Sequence, residues 1–393
     1  LGPDLKRLNF VARIKGSGKG KPILLMAHSD VVPADRSQWT VDPFSAISRD
    51  GFIYGRGSED DKSLLAAELA VMVEVKRRNI NLGRDLILLA ESDEESGFTG
   101  MQWMIQHQYP KIDAEFALNE GGDVIDTRDG PKIFKVQTTE KIPMHVIVTA
   151  KGIAGHASLP RPDNPVTHLS RALLKLAGAD QPVHLTTTTR LYFRDLAKFS
   201  EYSWLDPLRR KLDDPATAQS AAKQIRARDP ELDAMLRATV VPTTLQAGVK
   251  VNVIPNTASA EVDVRRMPGE SRDDVLARLR QIVNDGAVDV ELAPGEQMPP
   301  AGASSTLTPL YRAMERAVAH MYPKGVVTPY MSLGATDGSF LRARGMAVYG
   351  VPIFLTAPGE NRAHGNDERI SPSNIEDGVE LLWQVVLETA GGA

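Results

Sequence analysis

His28, Asp30, Asp60, Glu94, Glu95, Glu120 and His364 are residue types that bind divalent metals. Nearly all of them stand where an apolar, strand-like run gives way to a loop. The runs are "ILLMAHSDVV", "IYGRGSEDDKS", "LILLAESDEESG" and "FALNEGG", followed far downstream by "NRAHGNDER". Acidic groups and imidazoles at strand ends are costly unless something pairs with them. Zn²⁺ is the usual ion for mixed His/carboxylate ligands. Two imidazoles and three or four carboxylates exceed what one tetrahedral zinc uses, so the pattern reads as a two-metal site.

Each motif carries its own chemistry and its own plainer alternative. In His28-Ser29-Asp30 the outer residues point to one side of an extended segment. His28 can ligate while Asp30 bonds its other ring nitrogen and fixes the tautomer. In "GRGSEDDK" one Asp with both oxygens free can bridge two cations, and Glu59, Asp60 and Asp61 compete for that role. The alternative is an acidic helix start favoured by the helix dipole. In "ESDEESG" adjacent carboxylates repel unless a cation or proton intervenes. One of them can ligate while its neighbour moves a proton. Glu120 and His364 are weak signals alone. His156, in a Gly- and Pro-flanked turn ("KGIAGHASLP"), is placed to donate to a developing oxyanion. Asn252 and Arg265 fit carboxylate recognition, since Arg binds carboxylate through parallel N–H bonds. His107, His145, His168, His184 and His320 lie in helical or alternating patterns and read as core or surface. Trp103, Tyr330 and Phe340 are candidates for a side-chain pocket that nothing in the sequence places.

The elements that must hold these groups alternate. "PILLMAH" and "DLILLAES" read as buried strands and "SLLAAELAVMVEVKRR" as a helix with a basic end. Strand, helix, strand with short links predicts an α/β domain: a mixed, mostly parallel sheet covered by helices. Near residue 137 the pattern changes. "PMHVIVTAKG", "ASAEVDVRRMP" and "AVDVELA" alternate like half-exposed strands, and "PVTHLSRALLKLAG" and "RDDVLARLRQIV" are helical. The expectation is a catalytic domain built from residues 1–136 and 295–393. A smaller α+β, ferredoxin-like domain over 137–294 is inserted in it, interrupted by a helical stretch at 190–240.

The chain has 393 residues, with 42% hydrophobic and 24% charged residues. That length favours two domains. The net charge is −4 without a long basic run, which argues against nucleic acid or an anionic membrane as partner. The chain contains no Cys, so disulfides and thiolate chemistry are excluded. No apolar run is long enough for a membrane span. The compartment is left open, cytoplasmic or exported. The start at Leu1-Gly2-Pro3, close to the first strand, raises the expectation that a preceding segment has been removed.

Taken in order, "MAHSDVVP", "WTVDPF", "GRGSEDDK", "ESDEESG", "NEGG", "GIAGHAS", "NVIP", "DVR", "GATDGSF" and "AHGNDE" resemble the di-zinc metallopeptidase family of aminoacylases, glutamate carboxypeptidase, succinyl-diaminopimelate desuccinylase and acetylornithine deacetylase. The details are most similar to the carboxypeptidase S and N-acyl-amino-acid hydrolase branch. The resemblance implies two Zn²⁺, with Co²⁺ or Mn²⁺ as substitutes: His28 and Glu120 hold one, Glu95 and His364 the other, and Asp60 bridges them. It implies Asp30 as orienter of His28, Glu94 as general base, and His156 as oxyanion donor, often from a dimer partner's inserted domain. Asn252, Arg265 and the backbone at Gly334 would grip a free α-carboxylate. A cis peptide is implied after Asp60. Ser63 departs from the Gly that many relatives carry after Lys62. The implied reaction is hydrolysis of the amide to a C-terminal amino acid, as a carboxypeptidase or dipeptidase, or alternatively as an N-acyl-amino-acid deacylase, with a small peptide or N-acyl amino acid as substrate and a homodimer formed through the inserted domain. A non-catalytic binding protein on the same fold would lack a base or ligand, and here every position is filled. A mononuclear protein would hold one metal and hydrolyse no amide.

Overall fold

The computed structural model describes residues 1–128, 130–295, 298–355 and 360–391. Strand Ile23–His28 is buried at every position, as are Phe116–Asn119 and most of Leu86–Glu91. Continuous apolar runs of this kind suit a parallel sheet covered on both faces. The larger sheet runs in the order Phe10–Ile14, Leu86–Glu91, Ile23–His28, Phe116–Asn119, Ala347–Gly350, Lys132–Glu140, Val326–Ser332. Asp123–Asp126 pairs with Lys132–Glu140 off that path. Leu86–Glu91, Ile23–His28, Phe116–Asn119 and Ala347–Gly350 are mutually parallel, and Phe10–Ile14 is antiparallel at the edge. Successive residues divide between the faces. Ile23, Leu25 and Ala27 join the core under helices Lys62–Arg77, Pro309–Met321 and Pro372–Ala390. Leu24 and Met26 join the core that Met101 and Met104 of helix Thr99–His107 complete.

Parallel register has a direct consequence. His28 lies opposite Glu91, and Gly350 opposite Asn119. The carboxyl ends of these strands therefore open on one edge, where the loops carrying Asp30, Glu94, Glu95 and Glu120 begin. Ligands in open α/β sheets bind outside that edge.

The smaller sheet is antiparallel, in the order Thr239–Ala247, Thr257–Arg266, Ile142–Lys151, Val288–Leu292. Buried and exposed positions alternate in its two central strands. Helices Pro165–Gly178 and Arg272–Val283 bury their apolar stripes on one face. Pro165 and Pro309 each open a helix capped by the side chain before it, Asn164 and Thr308. The chain passes between the sheets at Lys141, which alone separates Lys132–Glu140 from Ile142–Lys151.

Two features differ from the sequence expectation. The helices Thr187–Leu196, Leu205–Lys211, Pro215–Arg226 and Pro230–Ala234 fall in the span read as a helical interruption of the smaller domain. Their apolar faces, with Tyr192, Phe193 and Leu196, pack on Ile133, Tyr330 and Met331 of the larger sheet. The stretch also ends before residue 240, because Thr239–Ala247 is an edge strand. Most of its positions face solvent, so it lacks the buried alternation that marks its neighbours. Among the described residues no helix is long and apolar enough to cross a membrane.

Candidate metal centre and active site

His28 ends its strand and is almost fully buried. Its Nε2 lies 2.9 Å from Asp60 Oδ1. The other Asp60 oxygen, Oδ2, lies 3.1 Å from His364 Nε2, which is also 3.0 Å from Glu95 Oε1. Ligand atoms of His28, Asp60 and Glu120 fall within 4.8 Å of one another, as do those of Asp60, Glu95 and His364. Asp60 is common to both groups and presents one oxygen to each imidazole. Neither of its rivals joins these groups. Asp61 is buried, and Glu59 Oε2 accepts from the Arg362 amide at 2.6 Å. The Asp60–Asp61 peptide is cis, and His364 takes a left-handed backbone (φ 61°). Ser63 fits without a glycine: it is buried and its Oγ donates to the Glu59 carbonyl at 3.2 Å.

Glu94 and Glu95 open a short helix after Asp93, which turns the chain with φ 71°. A third group, His28, Glu94 and Glu95, is equally close-set, so distance alone does not separate ligand from base. Glu120 follows Asn119. Gly121 beyond it needs φ 95°, and a Cβ on Gly122 would collide with the Val351 backbone.

Asp30 is near His28 in a different way from the sequence expectation. The His28 Nδ1–H donates to the Asp30 main-chain carbonyl at 3.1 Å, while the carboxylate stays 3.7 Å away. That carboxylate instead accepts the amides of Glu94 and Glu95, both at 3.2 Å. Asp30 thus ties the His28 loop to the loop carrying Glu94. A motif of three residues reveals their closeness but not which Asp30 oxygen faces the ring.

The electrostatics call for cations. Burial, reinforced by neighbouring carboxylates, pushes Glu94 up to about 8 and Glu120 and Asp61 well above the usual range. Burial also lifts Asp337 to about 7. Burial pulls His28 down, but its Asp30 and Asp60 contacts outweigh that and hold it raised. Two imidazoles and converging carboxylates with this excess of acid match a pair of divalent cations in donor type and charge.

A pH signature follows. In metal-free protein Glu94 sits near 8, and burial holds Glu59 and Asp337 near 7. Unfolded, such groups titrate near ~4. Between those limits the folded protein binds more protons than the unfolded chain, so stability falls as pH rises. Chelated protein should lose Tm between pH 5 and 8, and saturating metal should restore more at pH 8 than at pH 5. A flat profile would mean the carboxyls are compensated by something else.

The four predicted substrate groups have their own local partners. His156 is exposed on a two-residue ladder with Val253–Ile254, and its Nδ1 accepts from Ser158 Oγ at 2.7 Å. The Asn252 carbonyl accepts the Ala157 amide at 3.1 Å, so Asn252 and His156 share one flap. Arg265, in strand Thr257–Arg266, directs Nε at both Asp263 oxygens, at 3.1 and 3.2 Å. Gly334 lies just past Val326–Ser332, its amide 3.1 Å from Ser332 Oγ. Among the described residues no hydrogen bond or ion pair joins these four to the metal-ligand cluster. The Tyr330 ring packs edge-on to Tyr192 at 5.4 Å in the helical core. Phe340 pairs with Phe98 beside the Glu94 helix (5.6 Å), and Trp103 stacks on His107. Sequence reading passed over Asp337, which accepts from Asn119 Nδ2 at 2.9 Å, and over Arg56 and Glu368, a buried pair at 2.6 Å.

A cavity of about 370 Å³ opens beside Asp60 and Glu120. Phe52, Leu64, Ile353, Phe354, Leu355 and Ile370 line its apolar side, and Glu59, Asp123, Glu360 and Arg369 its polar side.

Comparison with known proteins identifies the family and the fold. The family model described as peptidase family M20/M25/M40 matches residues 24–388. Human N-fatty-acyl-amino acid synthase/hydrolase PM20D1 is 30% identical over 383 residues, 95% of this chain and 75% of its own length. The probable carboxypeptidase S-like 2 of Dictyostelium discoideum is 28% identical over 378 residues, 94% of this chain and 72% of its own. The M20 family metallo-carboxypeptidase Sso-CP2 of Sulfolobus solfataricus shares the fold, with TM-score 0.72 at 20% identity over 97% of this chain and 87% of that one. The chain therefore belongs to peptidase family M20/M25/M40, and it is a hydrolase of peptide or N-acyl amide bonds.

Proposed function

We propose that this enzyme releases an amino acid with a free carboxylate from an uncharged, apolar acyl group, using two divalent cations, Zn²⁺ with Co²⁺ or Mn²⁺ as substitutes. His28 and Glu120 would hold one, Glu95 and His364 the other, with Asp60 offering one carboxylate oxygen to each group. Bound there, the cations acidify water and polarise the amide carbonyl. Glu94 takes the proton from the attacking water and returns it to the leaving nitrogen. Its raised affinity for protons suits both halves of that task.

The observation that carries the acyl preference is the cavity beside Asp60 and Glu120. One side of it is apolar. Of its acidic groups, Asp123 pairs with Lys135 at 2.6 Å and Glu360 with Arg369 at 2.7 Å, Asp60 and Glu120 are assigned to the cations, and burial pushes Glu59 up to about 7 and Asp61 well above the usual range. That arrangement favours an uncharged acyl group there over the α-ammonium of a simple dipeptide. The names of the relatives, a fatty-acyl-amino acid hydrolase and a carboxypeptidase S-like protein, support the same class. The test compares kcat/KM on N-acyl amino acids of rising acyl length with kcat/KM on free dipeptides. Longer apolar acyl groups should be preferred; faster turnover of free dipeptides would reverse the assignment.

Arg265 is the candidate carboxylate clamp. Asp263 occupies its Nε, and among the described residues Nη1 and Nη2 have no hydrogen-bond partner. A charged hydrogen bond contributes about 1.5–3 kcal/mol, so Arg265→Ala should cost about 10–100-fold in kcat/KM with metal content unchanged. Unchanged kcat/KM would remove Arg265 from the site.

The flap carrying His156 supports a homodimer in which that residue serves the partner's site. Val241, Leu245, Val249, Val251 and Val253 are exposed around it, the first two on the open edge strand. Such a patch marks an interaction surface. Mixing and refolding His156→Ala with Glu94→Gln chains should restore activity that neither has alone, because one mixed site holds both groups. No restoration in a verified mixed dimer would place His156 in its own chain's site or outside catalysis.

A further inference from the structure

Arg56 and Glu368 form a buried ion pair, 6% and 0% exposed, that the hydrolytic chemistry does not use. Its hydrogen bonds reach both loops of the metal cluster, Glu368 accepting from the Asp60 loop and Arg56 donating to the His364 loop. Glu368 Oε2 accepts from Arg56 Nη1 at 2.6 Å and from the Gly57 amide at 2.9 Å. Oε1 accepts from the amides of Glu59 at 2.7 Å and Asp60 at 3.1 Å. The other arm of Arg56, Nη2, donates to the carbonyls of His364 at 3.3 Å and Gly365 at 2.9 Å. The Trp39 ring lies 5.2 Å from the guanidinium carbon. The Thr40 amide donates to Asp367 Oδ1 at 2.8 Å, which ties the Trp39 loop to the same unit.

We infer that Arg56 and Glu368 are positioning residues that set the spacing between Asp60 and His364, and so the affinity of the cation those two share with Glu95. The carboxylate fixes the backbone that leads into Asp60, and the guanidinium fixes the backbone that bears His364. Neither side chain touches the reacting atoms. A fork of parallel N–H groups is needed to reach Glu368 and two carbonyls at once, which Lys cannot provide. Groups that hold metal ligands in place typically change metal affinity by about 10–100-fold when altered. The first cation, held by His28, Asp60 and Glu120, depends on this pair through Asp60 alone, so its loss should be smaller.

The inference rests on the two-cation reading, and the test separates them. Metal-free wild type, Glu368→Gln and Arg56→Lys are titrated with Co²⁺ and followed by calorimetry and visible absorption, with thermal unfolding of each metal-free protein measured alongside. The expected result is two Co²⁺ per wild-type chain. In both variants one site stays within a few-fold of wild type and the other weakens at least 10-fold. At saturating Co²⁺ the KM should be unchanged and much of kcat recovered. Two sites of wild-type affinity in both variants would overturn the inference. So would equal weakening of both sites together with a lower Tm of the metal-free protein, which would mark a purely structural pair. If one variant does not fold, the other decides. Fewer than two Co²⁺ on wild type would instead overturn the two-cation reading and the inference with it.

Discussion

Replacing Glu94 by Gln is expected to abolish most turnover while leaving both cations bound. Gln keeps the shape and hydrogen-bonding reach of the side chain but cannot take a proton from water. Positioned proton transfer contributes on the order of 10²–10⁴-fold, and kcat should fall by that factor. The measurement is decisive because geometry alone is ambiguous: Glu94 lies as close to His28 and Glu95 as a ligand would. Metal content per chain resolves it. Two cations with little turnover make Glu94 the base. One cation lost makes it a ligand, and the base must then be sought among the remaining carboxylates.

The second large effect concerns Asp60. Each of its oxygens faces a different imidazole, His28 at 2.9 Å and His364 at 3.1 Å. An amide cannot serve two cations as a carboxylate does, so Asp60→Asn should weaken both sites together. Catalysis by the cations is worth several kcal/mol, so kcat/KM should fall by more than about 10³-fold. Glu120→Gln should weaken one site and Glu95→Gln mainly the other. If Asp60→Asn lowers the affinity of a single site, Asp60 is an ordinary ligand, and Asp61 or Glu59 becomes the candidate bridge again.

What was legible in the sequence, and what was not, follows from range. His28, Glu95 and Glu120 stand at or after apolar runs that read as buried strands, and the structure has strands there, although Glu120 is a weak signal by itself. Parallel strands align their ends, so charged residues after such runs must meet. The smaller sheet was legible wherever burial alternates, as in Thr257–Arg266. It was not legible in Thr239–Ala247, an edge strand that buries few side chains and so leaves little periodic signal. The helices between Thr187 and Ala234 were visible as helices. Which sheet they cover depends on where Ile133, Tyr330 and Met331 lie in space, and local spacing does not encode that.

The site shows the same division. Arg56 stands in "GRGSEDDK" and Glu368 in "AHGNDE", but they are far apart in the chain and neither motif signals that the two pair. Asp30 was expected to meet the His28 ring through its carboxylate, but the nitrogen is satisfied by its backbone and the carboxylate serves Glu94 and Glu95. His156 and Asn252 were singled out separately, and the ladder that joins them in one flap needs residues about a hundred positions apart to pair.

The most direct test of the two-cation hydrolase is metal titration of the reaction itself. Chelator-stripped protein is supplied with Zn²⁺ in fractional equivalents, and amino-acid release is followed from an N-acyl amino acid with a long apolar acyl group. Release should be absent without metal, rise with each addition and level off at two equivalents per chain. Undiminished release in the presence of chelator, or a plateau reached at one equivalent, would contradict it.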